Sequence, residues 1–472
     1  MVWKWASFLC WILFALTSVT RCGAYGNTHT NFATFVILGQ RSNFDTAKAV
    51  FLKDTILKDF EKQHEDAEVI VPHLDFSNFV GSWAMWTLFS RLHKNILSKW
   101  YIFLEADSHV NANVLIDFMQ HFDSHGKYFL GCGLYDESPV IIHHFHGYDA
   151  TDGQTFLYPD TACGILLSRG LLAELVSADS IDPPLSLFSI DAKHEIALLI
   201  LKRGGTTLSS YSDTFCNTKR DGCAIYYDFA PCESSAPLTT DKVLFSVKTY
   251  HGNHDSRVPI IKNTWGASLP SIEFFSDVAN ESIPTIAVGV PNTKRGHCEK
   301  TLVILRRFAD ISAQSEVVRK PLWLFIADDD TLLSVSRLLR LLSCYNSNEK
   351  VIVGERYGYG FSGSGLDGYD YPTGGSGMAF SHAAVKAIVS VCDCPTNDSP
   401  DDMIIGVCAR KSSVAILHSA AFHQARHVDY PKAYLERIPP ISFHKFDDVD
   451  PYQVYAEYLV ENHTETLRKQ EL

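Results

Sequence analysis

Three adjacent carboxylates, Asp328, Asp329 and Asp330, end the apolar run Leu322–Ala327. Like charges packed at the end of a strand repel one another, so a cation or a metal-bound phosphate is their natural partner. Further along, the segment Tyr371–Ser381 places Gly374, Gly375 and Gly377 just ahead of an apolar helical pattern. Glycines there permit positive φ and close approach of the backbone to a ligand. A second acidic pair, Asp401 and Asp402, follows Ser399 and Pro400 and precedes the apolar run Met403–Cys408. Carboxylates for a metal, glycines for a sugar and one carboxylate for a base form a single constellation. Ser-Pro-Asp-Asp is also a helix N-terminal signal, so one carboxylate of the pair can serve the helix while the other acts.

The elements that must position these groups occur twice. Trp100–Ser108 mirrors Trp323–Thr331, and Tyr158–Ser168 mirrors Tyr371–Ser381, with offsets of 223 and 213 residues. Each copy opens on an apolar strand, Phe35–Leu38 and Val243–Val247. Strands then alternate with helical patterns such as Ala47–Phe60 and Glu299–Ile311, which predicts an α/β fold of mostly parallel sheets covered by helices. We expect two tandem domains, 31–236 and 241–468, parted near Pro231–Pro237. The first copy carries Glu105, Ala106 and Asp107 in place of the triplet, Thr161 and Ala162 in place of the glycine pair, and Asp191 near the second acidic pair. It is expected to be non-catalytic, recognising the acceptor or bracing the second domain.

Of 472 residues, 46% are hydrophobic and 20% charged, enough for full cores. The net charge of −13 and the lack of basic runs argue against nucleic acid or a membrane-surface patch as partner. Residues 1–24 read as a signal peptide: Lys4, the apolar run Trp5–Val19 and small residues Cys22–Ala24, with an uncleaved anchor as the alternative. The apolar core is shorter than a spanning helix needs, so no stable membrane span is expected after cleavage. Lys469–Leu472 is a near match to a retrieval tetrapeptide, which would engage a retrieval receptor and place the protein in the endoplasmic reticulum lumen. Ten of the 12 cysteines lie beyond the leader, and disulfides suit their spacing better than zinc. Asn280 and Asn462 begin glycosylation sequons. Two motifs are discounted: Gly363–Gly368 as a flexible loop at the pocket rim, and His143, His144 and His146 as a polar loop.

With Arg257–Trp265, Phe422–Arg426 and Ile441–Lys445, the acidic and glycine motifs resemble the fringe-like β-1,3-glycosyltransferases over the second half of the chain. The resemblance implies two GT-A nucleotide-sugar folds, the first degenerate. It implies an inverting transferase using manganese or magnesium and UDP-glucose, which adds glucose in β-1,3 linkage to O-linked fucose on thrombospondin type 1 repeats. The alternatives are another UDP-sugar, or a lectin-like binding protein that has lost turnover. On this resemblance Asp402 is the catalytic base with Asp401 beside it, and Asp328 and Asp330 hold the metal with His444 or His423. The donor is met by Arg257, Thr264, Trp265, Asp329, Gly374 and Gly375.

Overall fold

The computed structural model describes residues 30–76, 78–143, 156–177, 186–228, 238–314 and 320–461. The leader, the C-terminal tetrapeptide, Asn462, His144, His146 and the boundary at 231–237 lie outside them.

Two mixed sheets organise the described chain. In the first, the spatial order of strands is Ser209–Ser210, Phe129–Gly131, Ile165–Ser168, Ser98–Leu104, Asn31–Ile37, Ala67–Ile70. In the second it is Ala415–His418, Val351–Gly354, Met378–Ser381, Trp323–Asp328, Val243–Lys248, Glu273–Ser276, with Thr285–Ala287 added at the edge. Position by position the strand directions agree: Ile165–Ser168 and Met378–Ser381 run antiparallel to both neighbours, and the other pairings are parallel. The expected mostly parallel sheets are therefore each interrupted by one reversed strand.

The helices cover these sheets for simple reasons. Ser42 caps the Asn43–Lys62 helix by accepting the Asp45 amide, and Ala49, Leu52, Ile56 and Phe60 recur at helical spacing on its buried face. Phe60 meets Phe35 of the first sheet edge-to-face at 5.1 Å. The Cys298–Gln314 helix buries Leu302, Leu305 and Phe308 in the same way against the second sheet. No helix among the described residues is long and apolar enough to cross a membrane.

The two halves share structure. One hydrophobic core unites Phe89, Phe103 and Leu171 of the first half with Leu332, Leu435 and Phe443 of the second. The short strand Phe188–Ser189 pairs with Arg356–Tyr359, and Arg437 forms a wholly buried ion pair of 2.6 Å with Asp160. The Gly363–Gly368 segment is pinned rather than loose: Val80 donates to the Gly365 carbonyl at 2.8 Å, and Arg410 donates to Leu366 and Gly368.

Disulfides join Cys216 to Cys223, Cys298 to Cys394 and Cys392 to Cys408. Cys132 and Cys163 are buried thiols, both donating to the Asn217 side-chain oxygen.

Candidate active site

The Trp323–Asp328 strand pairs in parallel with Val243–Lys248, and the register sets Lys248 beside Asp328. The chain then turns at Asp329 and Asp330 and enters a second strand, Thr331–Leu333, which pairs with Ser442–His444. Thr331 lies opposite His444, so residues more than a hundred positions apart in sequence meet at one strand end. The carboxyl ends of strands are where open α/β sheets bind ligands.

Asp328, Asp330 and His444 each offer one ligand atom, all within 4.8 Å of one another. The His444 Nδ1 lies 2.9 Å from the Gln424 carbonyl, and a carbonyl only accepts, so Nδ1 carries the proton and Nε2 faces the carboxylates. Nε2 is 3.0 Å from Asp330 and 3.9 Å from Asp328. Two carboxylates and an oriented imidazole fit a divalent ion such as manganese or magnesium. Without an ion, burial opposes protonation of His444, yet the adjacent Asp330 and Asp328 raise its pKa on balance. Burial likewise opposes ionisation of Asp330, and His444 and Arg257 outweigh it and lower its pKa.

Asp329 turns away from this group. It accepts from Thr249 (2.7 Å), Asn253 (2.8 Å) and Arg257 (3.0 Å). Burial raises its pKa despite the three donors. Arg257 also reaches Asp330 at 2.9 Å and Asp447 at 2.8 Å. Its guanidinium is thus engaged by three carboxylates, two of them in the triplet. Thr264 and Trp265 are both buried behind the site. Thr264 donates to the Ile260 carbonyl at 2.7 Å, and the Trp265 indole donates to the Thr331 carbonyl at 3.0 Å, bracing the strand that follows the triplet. His423 is not among the grouped ligands. It is buried, stacked on Phe443 at 4.8 Å, with Nδ1 on the Ser442 carbonyl.

The glycines shape the opposite wall. A Cβ at Gly374 would stand 3.7 Å from the Lys248 Nζ and 3.9 Å from Asp328, so this backbone opens directly onto the acidic site. A Cβ at Gly375 would come within 2.3 Å of the His444 ring, so the imidazole keeps its place only because Gly375 has no side chain.

Asp401 and Asp402 begin the Asp401–Ser412 helix without capping it through their side chains. The two are electrostatically opposite. Asp401 accepts from Lys248 and Thr301, both at 2.6 Å. Burial would raise its pKa, but Lys248 and Thr301 hold it down to about 2. Among the described residues Asp402 accepts only from the Met403 amide, at 2.7 Å, and burial and then the Asp401 charge outweigh that bond and push it up to about 7. A half-buried carboxylate poised near neutrality, in the field of Asp328, can accept a proton at physiological pH.

Lys248 escaped the sequence analysis. Only 3% exposed, it ties Asp328 (2.9 Å) to Asp401 (2.6 Å) and thereby fixes the metal group relative to the acidic pair. A lone lysine after an apolar strand carries no motif, and only the sheet register reveals it. In the first half, His143 is not on a polar loop: it is buried between Asp136 (2.7 Å) and Asp191 (3.3 Å), and stacks on His194. Asn280, at the described sequon, accepts from Ser282 and approaches His254.

Comparison with known proteins makes this chain a glycosyltransferase. The Fringe-like family model matches residues 75–189 and 238–465. The chain is 40% identical over 433 residues to a β-1,3-glucosyltransferase of Mus musculus, covering 90% of this chain and 86% of the relative. It is likewise 40% identical over 443 residues to a β-1,3-glucosyltransferase of Homo sapiens, covering 92% and 86%. A glycoprotein-N-acetylgalactosamine 3-β-galactosyltransferase 1 of Xenopus laevis is 27% identical over 176 residues, 37% of this chain and 46% of the relative. The chain belongs to the Fringe-like family.

Proposed function

We propose that this protein is an inverting, metal-dependent β-1,3-glucosyltransferase that moves glucose from UDP-glucose to O-linked fucose on thrombospondin type 1 repeats. The observation that carries the catalytic reading is the joining, through Lys248, of the Asp328–Asp330–His444 group to an acidic pair whose second member, Asp402, is pushed by burial up to about 7. The glucosyl donor is supported by the two relatives that match most of the chain. The O-fucose acceptor rests on the motif resemblance.

A β linkage made from an α-linked nucleotide sugar requires one in-line displacement and one base. Asp402 takes the proton of the acceptor hydroxyl and orients it. Lys248 keeps Asp401 ionised, and that fixed charge sustains the raised pKa of Asp402. Asp328, Asp330 and His444 would hold a divalent ion, manganese or magnesium, which would offset the charge developing on the diphosphate leaving group. Gly374 leaves room for the donor at the acidic wall.

In this reading the matched sheets are tandem GT-A copies and the first is non-catalytic; identical strand order and the two family-model segments support it. The disulfides support a luminal site of action in the secretory pathway, which we take to be the endoplasmic reticulum. The test is mass spectrometry of an O-fucosylated thrombospondin repeat after incubation with the full chain, manganese and a panel of UDP-sugars. A hexose added from UDP-glucose alone is expected; addition from a different donor only, or none at all, overturns the assignment.

A further inference from the structure

A cavity of about 590 Å³ lies at the carboxyl edge of the first sheet, closed on its far side by the second half. Its floor is Leu38, at the end of the first strand, with Glu105–Asp107 and Asp191; its roof includes Tyr345, Glu355, Arg356 and Tyr357. This size is ordinary for a small-molecule site, and the location is the edge where such sheets take ligands.

Most charges of the lining pair with one another. Lys48 pairs with Asp107 at 2.6 Å, Lys193 with Asp191 at 2.9 Å, and Arg340 with Glu461 at 2.8 Å. Thr161 donates to Glu105. With these groups paired, Arg356 is left as a single guanidinium rather than a cation cluster for a phosphate, and a neutral occupant is favoured. Two features ask for one that carries hydroxyls. The Arg356 guanidinium lies over Trp83 at 4.8 Å, reaches Gln40 at 3.3 Å and lines the cavity beside Glu355. Glu355, pushed by burial up to about 8, is a protonated acid at neutral pH, able to donate as well as accept. The remaining wall is aromatic, with Trp83, Tyr158, Tyr345 and Tyr357. Ring faces take the C–H surface of a pyranose, while a guanidinium and a carboxylic acid take its hydroxyls.

We propose that this cavity is a second carbohydrate site, separate from the metal group, which binds a neutral mono- or disaccharide. The inference goes beyond the glucosyl-transfer reading and does not depend on it.

The test is saturation-transfer NMR on the full chain bearing Asp330→Asn, in EDTA, so that the donor site contributes nothing. The probes are glucose, fucose, galactose, N-acetylglucosamine and a glucosyl-β-1,3-fucose disaccharide. We expect transfer to at least one of them, abolished by Ala106→Phe, which fills the cavity without removing a hydrogen bond, and weakened at least fivefold by Arg356→Gln. Silence from every probe, or a signal that survives Ala106→Phe, overturns the site. Should Ala106→Phe fail to fold by circular dichroism, Arg356→Gln decides alone, and unchanged affinity there counts against the proposal. Wild-type transfer activity measured in parallel separates the two readings: turnover without cavity binding rejects only this site, and cavity binding without turnover rejects only the proposed reaction.

Discussion

The two sheets share strand order and direction, and they differ where their strands end. In the second, Asp328 and Asp330 face His444; at the matching positions of the first stand Glu105 and Asp107, and the register that pairs Thr331 with His444 pairs Ser108 with Tyr227. Lys248 sits beside Asp328, whereas its counterpart beside the first strand end is Leu38. Every acidic group that survives in the first half has gained an internal partner: Thr161 for Glu105, Lys48 for Asp107, and Lys193 with His143 for Asp191. The strand framework is thus common to both sheets, while the grouped Asp328, Asp330 and His444 stand only at the strand ends of the second.

The sharpest test substitutes matched residues. Asp330→Asn removes a metal ligand and should lower transfer by at least about 10³-fold, given what electrostatic stabilisation of a leaving group supplies. Asp107→Asn, its counterpart, should leave transfer within about twofold, because its carboxylate only pairs with Lys48. Rates of UDP release for the two variants check this, and an equal loss in both would break the asymmetry between the halves.

Asp402→Asn comes next. Loss of a general base costs about 10²- to 10⁴-fold in kcat. Since a base acts only when ionised, wild-type kcat should rise with pH through about 7, the value to which burial and Asp401 push Asp402. The asparagine variant should lose that rise while binding UDP as the parent does. A pH limb that persists in the variant assigns the proton transfer to another group.

A smaller effect is expected at the wall. Gly375→Ala places a methyl against the His444 ring, which must shift. Displacement of one ligand by a fraction of an ångström should cost about 10- to 100-fold in transfer, with the apparent affinity for manganese falling alongside. The aligned residue of the first half is already alanine, Ala162, and there the ring opposite is Tyr227. Unchanged metal affinity in Gly375→Ala would show that His444 is not held by this contact.

Much of this arrangement was legible in the sequence because it is local. An apolar strand ending in three carboxylates, a glycine-rich turn and an acidic pair are contiguous patterns, and their repetition announced two α/β units. What stayed hidden depends on register and on long-range packing. The sequence left His423 and His444 as equal candidates; only the pairing of Thr331–Leu333 with Ser442–His444 separates them. Trp265 reads equally as a residue beneath the pocket or as plain core, and only the fold shows its indole donating to the Thr331 carbonyl. His143 is followed by a polar stretch, yet its partners Asp136 and Asp191 lie on either side in sequence and meet only in the fold. The shared core escaped for the same reason, since apolar residues do not declare which half they will join.

The last comparison sets Asp402 against Glu195, the buried carboxyl in the Ala192–Gly204 helix that follows Asp191. Both stand beside an ionised aspartate and both are pushed up to about 7, Glu195 by burial first and with Asp191 adding to it. Asp402 is half-buried at the acidic site, whereas Glu195 is 6% exposed and accepts from the Ile190 amide. Its raised pKa therefore acts on stability. The neutral acid is favoured in the fold, so its contribution is complete below the ordinary pKa of 4.5 and is lost as pH rises from there through about 7. The loss is on the order of 3 kcal/mol. Glu195→Gln stays neutral, so its stability relative to wild type should climb across that window and level off above it, with transfer unchanged. Urea denaturation of both proteins from pH 5 to pH 8 measures the difference. Parallel stability curves would mean that Glu195 is solvated or finds a cation in solution, and that burial separates the two carboxylates less than their positions in the fold indicate.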